Sequence, residues 1–128
     1  MQFSDQTLER FERASHQGIR SRPSVVGLSG SLETGLFMLV ALTCTGGVVS
    51  EARFRSFNCI SAIAAGDLVC EWAEGSRLAA ALEISACRVD AELGGLPQSR
   101  LFCADLAERA LGAALAEATR KGLLHEEP

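Results

Sequence analysis

Residues Glu51-Ala52-Arg53-Phe54-Arg55-Ser56-Phe57-Asn58-Cys59-Ile60-Ser61-Ala62-Ile63-Ala64-Ala65 change their period halfway along. Up to Phe57 they alternate, with Val48, Ala52 and Phe54 facing one way and Glu51, Arg53 and Arg55 the other. This is the pattern of a strand buried on one face and solvated on the other. Past Cys59 the alternation gives way to small apolar residues, which predict a helix from Cys59 to Glu74 stopped by Gly75. Cys59 therefore closes a strand and opens a helix. Cys103 opens another, just after Leu96-Pro97. Backbone N–H groups and the positive end of the dipole stabilise a thiolate at a helix N-terminus. Two such thiolates on separate elements could meet at one metal.

Working outward, Gly46-Gly47 is a hairpin signal joining this strand to Leu36–Thr45, which carries apolar residues on both faces. Val25-Val26-Gly27-Leu28 predicts a further short strand. Ser4 caps an N-terminal amphipathic helix, with Phe3 as a staple. Leu8 and Phe11 pack down, and Glu9, Arg10, Glu12 and Arg13 face water. The segment from Gly18 to Pro23 is basic and loop-like. Short helices are expected over Leu78–Ile84 and Arg88–Leu93, followed by the breaker Gly94-Gly95-Leu96-Pro97. The last helix starts at Ser99 or within the next few residues and runs to about Lys121, with Gly122 beyond it. Leu101, Leu106, Ala110, Leu111 and Leu115 form its buried stripe. The order predicts an α+β fold, a three-stranded antiparallel sheet covered on one side by about five helices, in one domain over residues 1–128.

The bulk numbers narrow the function classes. A chain of 128 residues with 48% hydrophobic and 22% charged content can bury a core. A net charge of −4, no basic stripe and no Tyr argue against nucleic-acid binding. The longest apolar run, Leu36–Leu42, is too short for a membrane span. The charged start from Met1 to Gly18 does not read as a signal peptide, so the five cysteines are expected reduced, in a cytoplasmic compartment. There is no CxxC pair, no HExxH and no zinc-finger spacing. No Ser/His/Asp set, Cys–His pair or phosphate loop can be assembled, so the chain does not read as an enzyme. Cys44, Cys70 and Cys87 read as core or incidental cysteines. His16 and His125 read as solvent-exposed.

Several blocks, in order, resemble the IscU/NifU-type iron–sulfur cluster assembly scaffold family. Phe3-Ser4-Asp5 and the helix after it are similar to the family's YSE opening. Gly30-Ser31-Leu32 resembles the approach to its first ligand, GSLxCGD. Glu51–Phe54 with Ser56–Ala64 resembles DARFKTYGCGSAIAS. Leu68-Val69, Glu71-Trp72 and Gly75 resemble LVTEWVKG. The spacing from Ile84-Ser85 to Cys103 follows the NifU version, and Ala107–Ala110 resembles the helix after the last cysteine.

The resemblance implies a site of three cysteines, with an aspartate two residues after the first and often a histidine just before the third. Cys59 and Cys103 match the second and third cysteines, and Phe102 stands at the histidine. Anchoring on Gly30-Ser31-Leu32 places Thr34 at the first cysteine and Leu36 at the aspartate. Counting back from Cys59 places Glu33 and Gly35 there instead. Asn58 and Ile60 replace flanking glycines, and the chaperone-docking LPPVK becomes Leu96-Pro97-Gln98-Ser99-Arg100. A two-iron, two-sulfide cluster takes four terminal ligands, preferably thiolates. Cys59 and Cys103 supply two, and Glu33, if turned inward, a carboxylate. The resemblance thus implies a divergent scaffold or carrier for iron, sulfur or an iron–sulfur cluster, acting beside a cysteine desulfurase. The competing expectation is a cluster-free scaffold fold serving as a docking subunit of a larger complex or as a homo-oligomer. The apolar stretch of Val25, Val26, Leu28, Leu36 and Phe37 motivates it.

Overall fold

The computed structural model describes residues 3–20 and 22–123. His125 lies outside them. The elements run α1 (Asp5–Glu12), β1 (Val25–Ser31), β2 (Leu36–Thr45), β3 (Val48–Ser56), α2 (Ile60–Ala73), α3 (Leu78–Ala81), α4 (Ala86–Glu92), a 3-10 turn (Gln98–Arg100) and α5 (Phe102–Arg120). The strands form an antiparallel sheet in the order β1-β2-β3. This is the expected α+β fold. Gly46 and Gly47 both take positive φ, 60° and 77°, so the β2–β3 hairpin needs glycine at both positions.

The core lies between one face of the sheet and the helices. Met38, Val40, Leu42, Ala52 and Phe54 point inward and are buried against α2 and α5. Two close approaches set those helices. A β-carbon on Gly27 of β1 would sit 2.2 Å from the Ala110 carbonyl oxygen and 2.3 Å from the Ala114 nitrogen of α5. One on Gly66 of α2 would sit 2.5 Å from the Phe54 ring. Both helices are therefore pressed onto the sheet at fixed depth. Ser29 adds a tie across the first contact, its hydroxyl donating to the Leu106 carbonyl at 2.7 Å.

Four expectations need correction. Arg53 was expected on the solvated face but is buried to 9% exposure. Residues 15–18 lie across it, and its guanidinium donates to the carbonyls of Ser15 (2.9 Å), Gly18 (2.8 Å) and Gln17. The same segment continues the sheet along β3: Phe54 N–H donates to the His16 carbonyl and Gly18 N–H to the Phe54 carbonyl. Arg10, expected in water, is a largely covered side chain at 12% exposure. Leu8 is exposed, while Thr7 is fully buried and donates to the Leu93 carbonyl at 3.0 Å. The inner face of α1 is thus Thr7, Arg10 and Phe11: Thr7 meets a carbonyl, Arg10 a carboxylate and Phe11 the apolar core.

Leu101 was assigned to the buried stripe but is 41% exposed. At 100° per residue Leu101 lies well off the face that carries Cys103, Ala107, Ala110 and Ala114, so the stripe begins at Cys103 and Ala104. The remaining boundaries agree with expectation to within about a turn. Ser85 caps α4 by accepting from Arg88 N–H, and α5 ends at Arg120 with Gly122 at φ 79°.

Candidate functional site

Cys59 and Cys103 meet where α2 and α5 begin. Cys59 is the N-cap residue of α2, with extended φ −147° and ψ 134° and no side-chain capping bond. No acidic residue occupies the first turn of α2, so its leading N–H groups have no side-chain oxygen to receive them there. Cys103 is the second residue of α5 and is fully buried, whereas Cys59 is half-buried. Cys59 lies close enough to act on the Cys103 thiol. Burial first, and then the nearby Cys59, push the Cys103 thiol up to about 12.

Two aromatic rings frame the pair. Phe57, two residues before Cys59, stacks on Phe102, one residue before Cys103, with ring centroids 6.0 Å apart and planes 11° from parallel. The stack joins the β3–α2 connection to the start of α5, beside the two sulfurs. Ser61, in the first turn of α2, buries a hydroxyl that has no hydrogen-bond partner among the described residues.

The third expected residue stands apart in character. Glu33 and Thr34 are both exposed in the turn between β1 and β2. Ser31 Oγ accepts from Glu33 N–H at 3.1 Å, and Thr34 Oγ1 donates to the Ser31 carbonyl at 3.2 Å. Gly35 has φ 81°, which only glycine adopts without strain. Among the described residues, no three His, Cys, Asp or Glu side chains are grouped so as to hold a metal ion. Glu33 therefore does not complete a group with the two cysteines in this conformation. The other three cysteines are scattered: Cys70 is buried in α2, Cys44 half-buried on β2 and Cys87 exposed on α4.

A second constellation escaped the sequence reading. Asp67, buried on α2, accepts from Arg10 Nη1 (3.0 Å), Ser15 N–H (2.9 Å) and His16 N–H (3.1 Å), and lies 2.9 Å from His16 Nδ1. His16 was expected in solvent. Its side chain is only 13% exposed and sits between Asp67 and Glu74, with Nε2 3.5 Å from Glu74 Oε1. Burial pushes the Asp67 carboxyl up, but the hydrogen bonds from His16, Arg10 and Ser15 outweigh it and hold the group below its ordinary value. One signal was present: Asp67 is the single charged residue in the apolar run Ile60–Cys70. A charge there demands partners. Which partners would answer could not be read locally.

Comparison with known proteins places the geometry in context. The model of the NifU-like N terminal domain family matches residues 2–123. The chain is 32% identical over 125 residues to the iron-sulfur cluster assembly scaffold protein IscU of Rickettsia prowazekii, covering 94% of this chain and 95% of that one. It is 29% identical over 119 residues to the iron-sulfur cluster assembly scaffold protein IscU 1 of Archaeoglobus fulgidus, covering 93% and 78%. In fold it is similar to the crystal structure of a scaffold protein for the SUF system from Fervidobacterium islandicum AW-1. That TM-score is 0.71 at 16% identity, over 88% of this chain and 96% of that one. The family match spans every element from α1 to α5, and the chain belongs to the NifU-like N terminal domain family.

Proposed function

We propose that this chain is a divergent iron–sulfur cluster assembly scaffold or carrier, a single domain that accepts iron and sulfur at Cys59 and Cys103. One observation carries the reading: the chain belongs to this family, and its two matching cysteines lie near one another at two helix starts. The cluster, or its iron and sulfur, is cargo. Cys59 and Cys103 give two of the four terminal ligands that a two-iron cluster takes. Glu33 is the proposed third donor, brought in by movement of the exposed β1–β2 turn, with a partner supplying the fourth. The positive φ of Gly35 favours aligning it with the family's glycine, which places Thr34 at the first cysteine. Oxygen ligands bind such iron less firmly than thiolates, so the cargo is held loosely, as suits a carrier. A cysteine desulfurase is the proposed sulfur donor and the cytoplasm the proposed compartment.

Anaerobic reconstitution with ferrous iron and inorganic sulfide tests this. Visible charge-transfer absorption that disappears in Cys59→Ser and Cys103→Ser is expected. Its absence in the unaltered protein, or its survival in Cys59→Ser, overturns the reading.

A second reading is favoured by a different observation. The outer face of the sheet presents Val26, Leu28 and, in the adjoining turn, Leu32, all exposed. A cluster-free docking subunit or homo-oligomer would use this face. A pure protein that sediments as a strict monomer and captures no partner removes this reading.

A further inference from the structure

The outer face of α5 is left uncovered by the rest of the chain, and its charges run in an order that complements its own reverse. From that order and the cleft beside it, we infer that two copies of this chain pair through α5, antiparallel about a point between Gly112 and Ala113. The inference goes beyond the cargo reading and uses a different surface from the outer sheet face.

Asp105, Arg109, Gly112, Ala116 and Arg120 are all exposed. Spacings of four, three, four and four residues set them along one line of the helix, opposite the buried face of Cys103, Ala107, Ala110 and Ala114. Gly112 has no reason within the chain to be glycine. Its φ is not positive, and a β-carbon there would meet nothing within 4 Å. Alanine would favour the helix by about 1 kcal/mol. Glycine at such a point serves the close approach of something from outside.

Beside Gly112 runs an open cleft of about 200 Å³, walled by Ile84, Leu111, Leu115 and, at the end of α3, Leu82. Leu82 is 54% exposed. The two-fold axis of an antiparallel pair keeps both clefts on the same side of the contact. Leu82 of each copy then faces the cleft beside Gly112 of the other.

Charge selects the occupant and its direction. Arg120 Nε donates to Glu117 Oε2 of its own chain at 3.1 Å. Asp105 and Arg109 form no ion pair among the described residues. In the antiparallel pair, Asp105 comes level with Arg120 of the second copy, and Arg109 with Ala116 and Glu117. Each end then carries a row of alternating sign, Asp105, Arg120, Glu117 and Arg109. A parallel pair would instead set Asp105 on Asp105 and Arg109 on Arg109, which like-charge repulsion opposes. Contact along one 19-residue helix is at the small end of specific interfaces, so the pair is weak and exchanges. The two Cys103 positions end about 28 Å apart along the axis. They lie on faces turned away from the contact, so pairing covers neither cysteine.

Sedimentation equilibrium of the full chain at low salt tests the inference. A dimer with a Kd on the order of tens of micromolar is expected, weakening as salt rises. Gly112→Lys favours the helix and sets a lysine one turn after Glu108, yet should raise the Kd at least about tenfold. Circular dichroism confirms that this variant is folded. Asp105→Arg and Arg120→Asp should each weaken pairing by a similar factor alone, because each sets like charges together at both ends. An equimolar mixture of these two variants should return the Kd to within about threefold of the parent, since both contacts are then opposite in sign. A parent that stays monomeric at about 200 µM, a dimer that survives Gly112→Lys, or a mixture no tighter than either variant alone overturns the inference. So does a dimer that is lost in Leu28→Ser, which places association on the sheet face. Reconstitution with iron and sulfide is expected to be equal in the parent and Gly112→Lys. A chain that pairs but holds no cargo therefore loses the scaffold reading alone, and one that holds cargo but does not pair loses this inference alone.

Discussion

Phe54 of β3 packs against Gly66 of α2 so closely that a β-carbon on Gly66 would lie 2.5 Å from the ring. Phe54 is fully buried between the sheet and the helices. This contact sets the depth of α2 on the sheet and therefore the position of Cys59 at its start.

Gly66→Ala should destabilise the protein although alanine is the better helix former. The propensity gain is about 1 kcal/mol, and overpacking against a ring that cannot retreat costs roughly 1–3 kcal/mol. Urea denaturation measures the balance. A more stable variant would mean that Phe54 has room to move.

Asp67→Ala should cost about 3 kcal/mol, because it leaves the Ser15 and His16 N–H groups without their acceptor and removes one partner each from Arg10 and the His16 ring. Asp67→Asn, which keeps the shape and loses the charge, should cost less. The same denaturation series ranks them. Equal stability of all three proteins would show that the arm over residues 15–18 is held by Arg53 and by its backbone bonds to Phe54 without help from Asp67.

The acid side of the stability curve follows from the same group. The folded-state value of Asp67 lies below the ordinary carboxyl value, despite burial, through its hydrogen bonds from His16, Arg10 and Ser15. Glu71 is also lowered, first by its hydrogen bond from Arg10, but it is half-exposed and weighs less. A lowered carboxyl contributes stability that is fully present above the unfolded-state value. That stability is lost as pH falls through the folded one. Urea midpoints should therefore hold down to about pH 4 and drop below it, with a shallower acid decline in Asp67→Asn. An identical decline in the variant would assign acid unfolding to other carboxylates.

Alkylation should sort the cysteines by burial. Iodoacetamide at pH 8 is expected to modify Cys87 and then Cys59 in the folded protein, while Cys70 and Cys103 stay free until denaturant is added. Both protected thiols are pushed up by burial, Cys103 to about 12. Mass mapping reads the order. Modification of Cys103 before Cys59 would contradict the packing at the start of α5.

Restoring a thiolate in the β1–β2 turn should strengthen iron retention after reconstitution. Thr34→Cys is expected to do so and Glu33→Cys to do so less, because Gly35 keeps its glycine role in the first alignment. Charge-transfer absorption after desalting compares them. The reverse order would favour the alignment that places Glu33 at the family's first cysteine.

How much was legible in the chain depended on range. The alternation through β3, the glycine hairpin and the helix start at Cys59 were readable because each rests on neighbours a few residues away. Arg53, Arg10 and His16 were misassigned to water for the opposite reason. Period alone places a charged residue outside, and only a distant carboxylate or a returning arm can reverse that. Leu101 failed because its helical phase lies off the face that carries Cys103, Ala107, Ala110 and Ala114. Asp67 announced itself as a charge in an apolar run, yet its partners lie more than fifty residues away in α1 and the arm after it.

By itself the sequence determined the order of strands and helices, the family, and the presence of two cysteines at two helix starts, since all of these follow from local pattern and matching blocks. Only the tertiary structure decided that the two cysteines come near one another, that one is shielded and the other reachable, and that the β1–β2 turn leaves Glu33 and Thr34 in solvent. Those outcomes depend on how deeply α2 and α5 settle on the sheet. Gly27 and Gly66 set that depth through contacts with backbone and ring that no local pattern encodes.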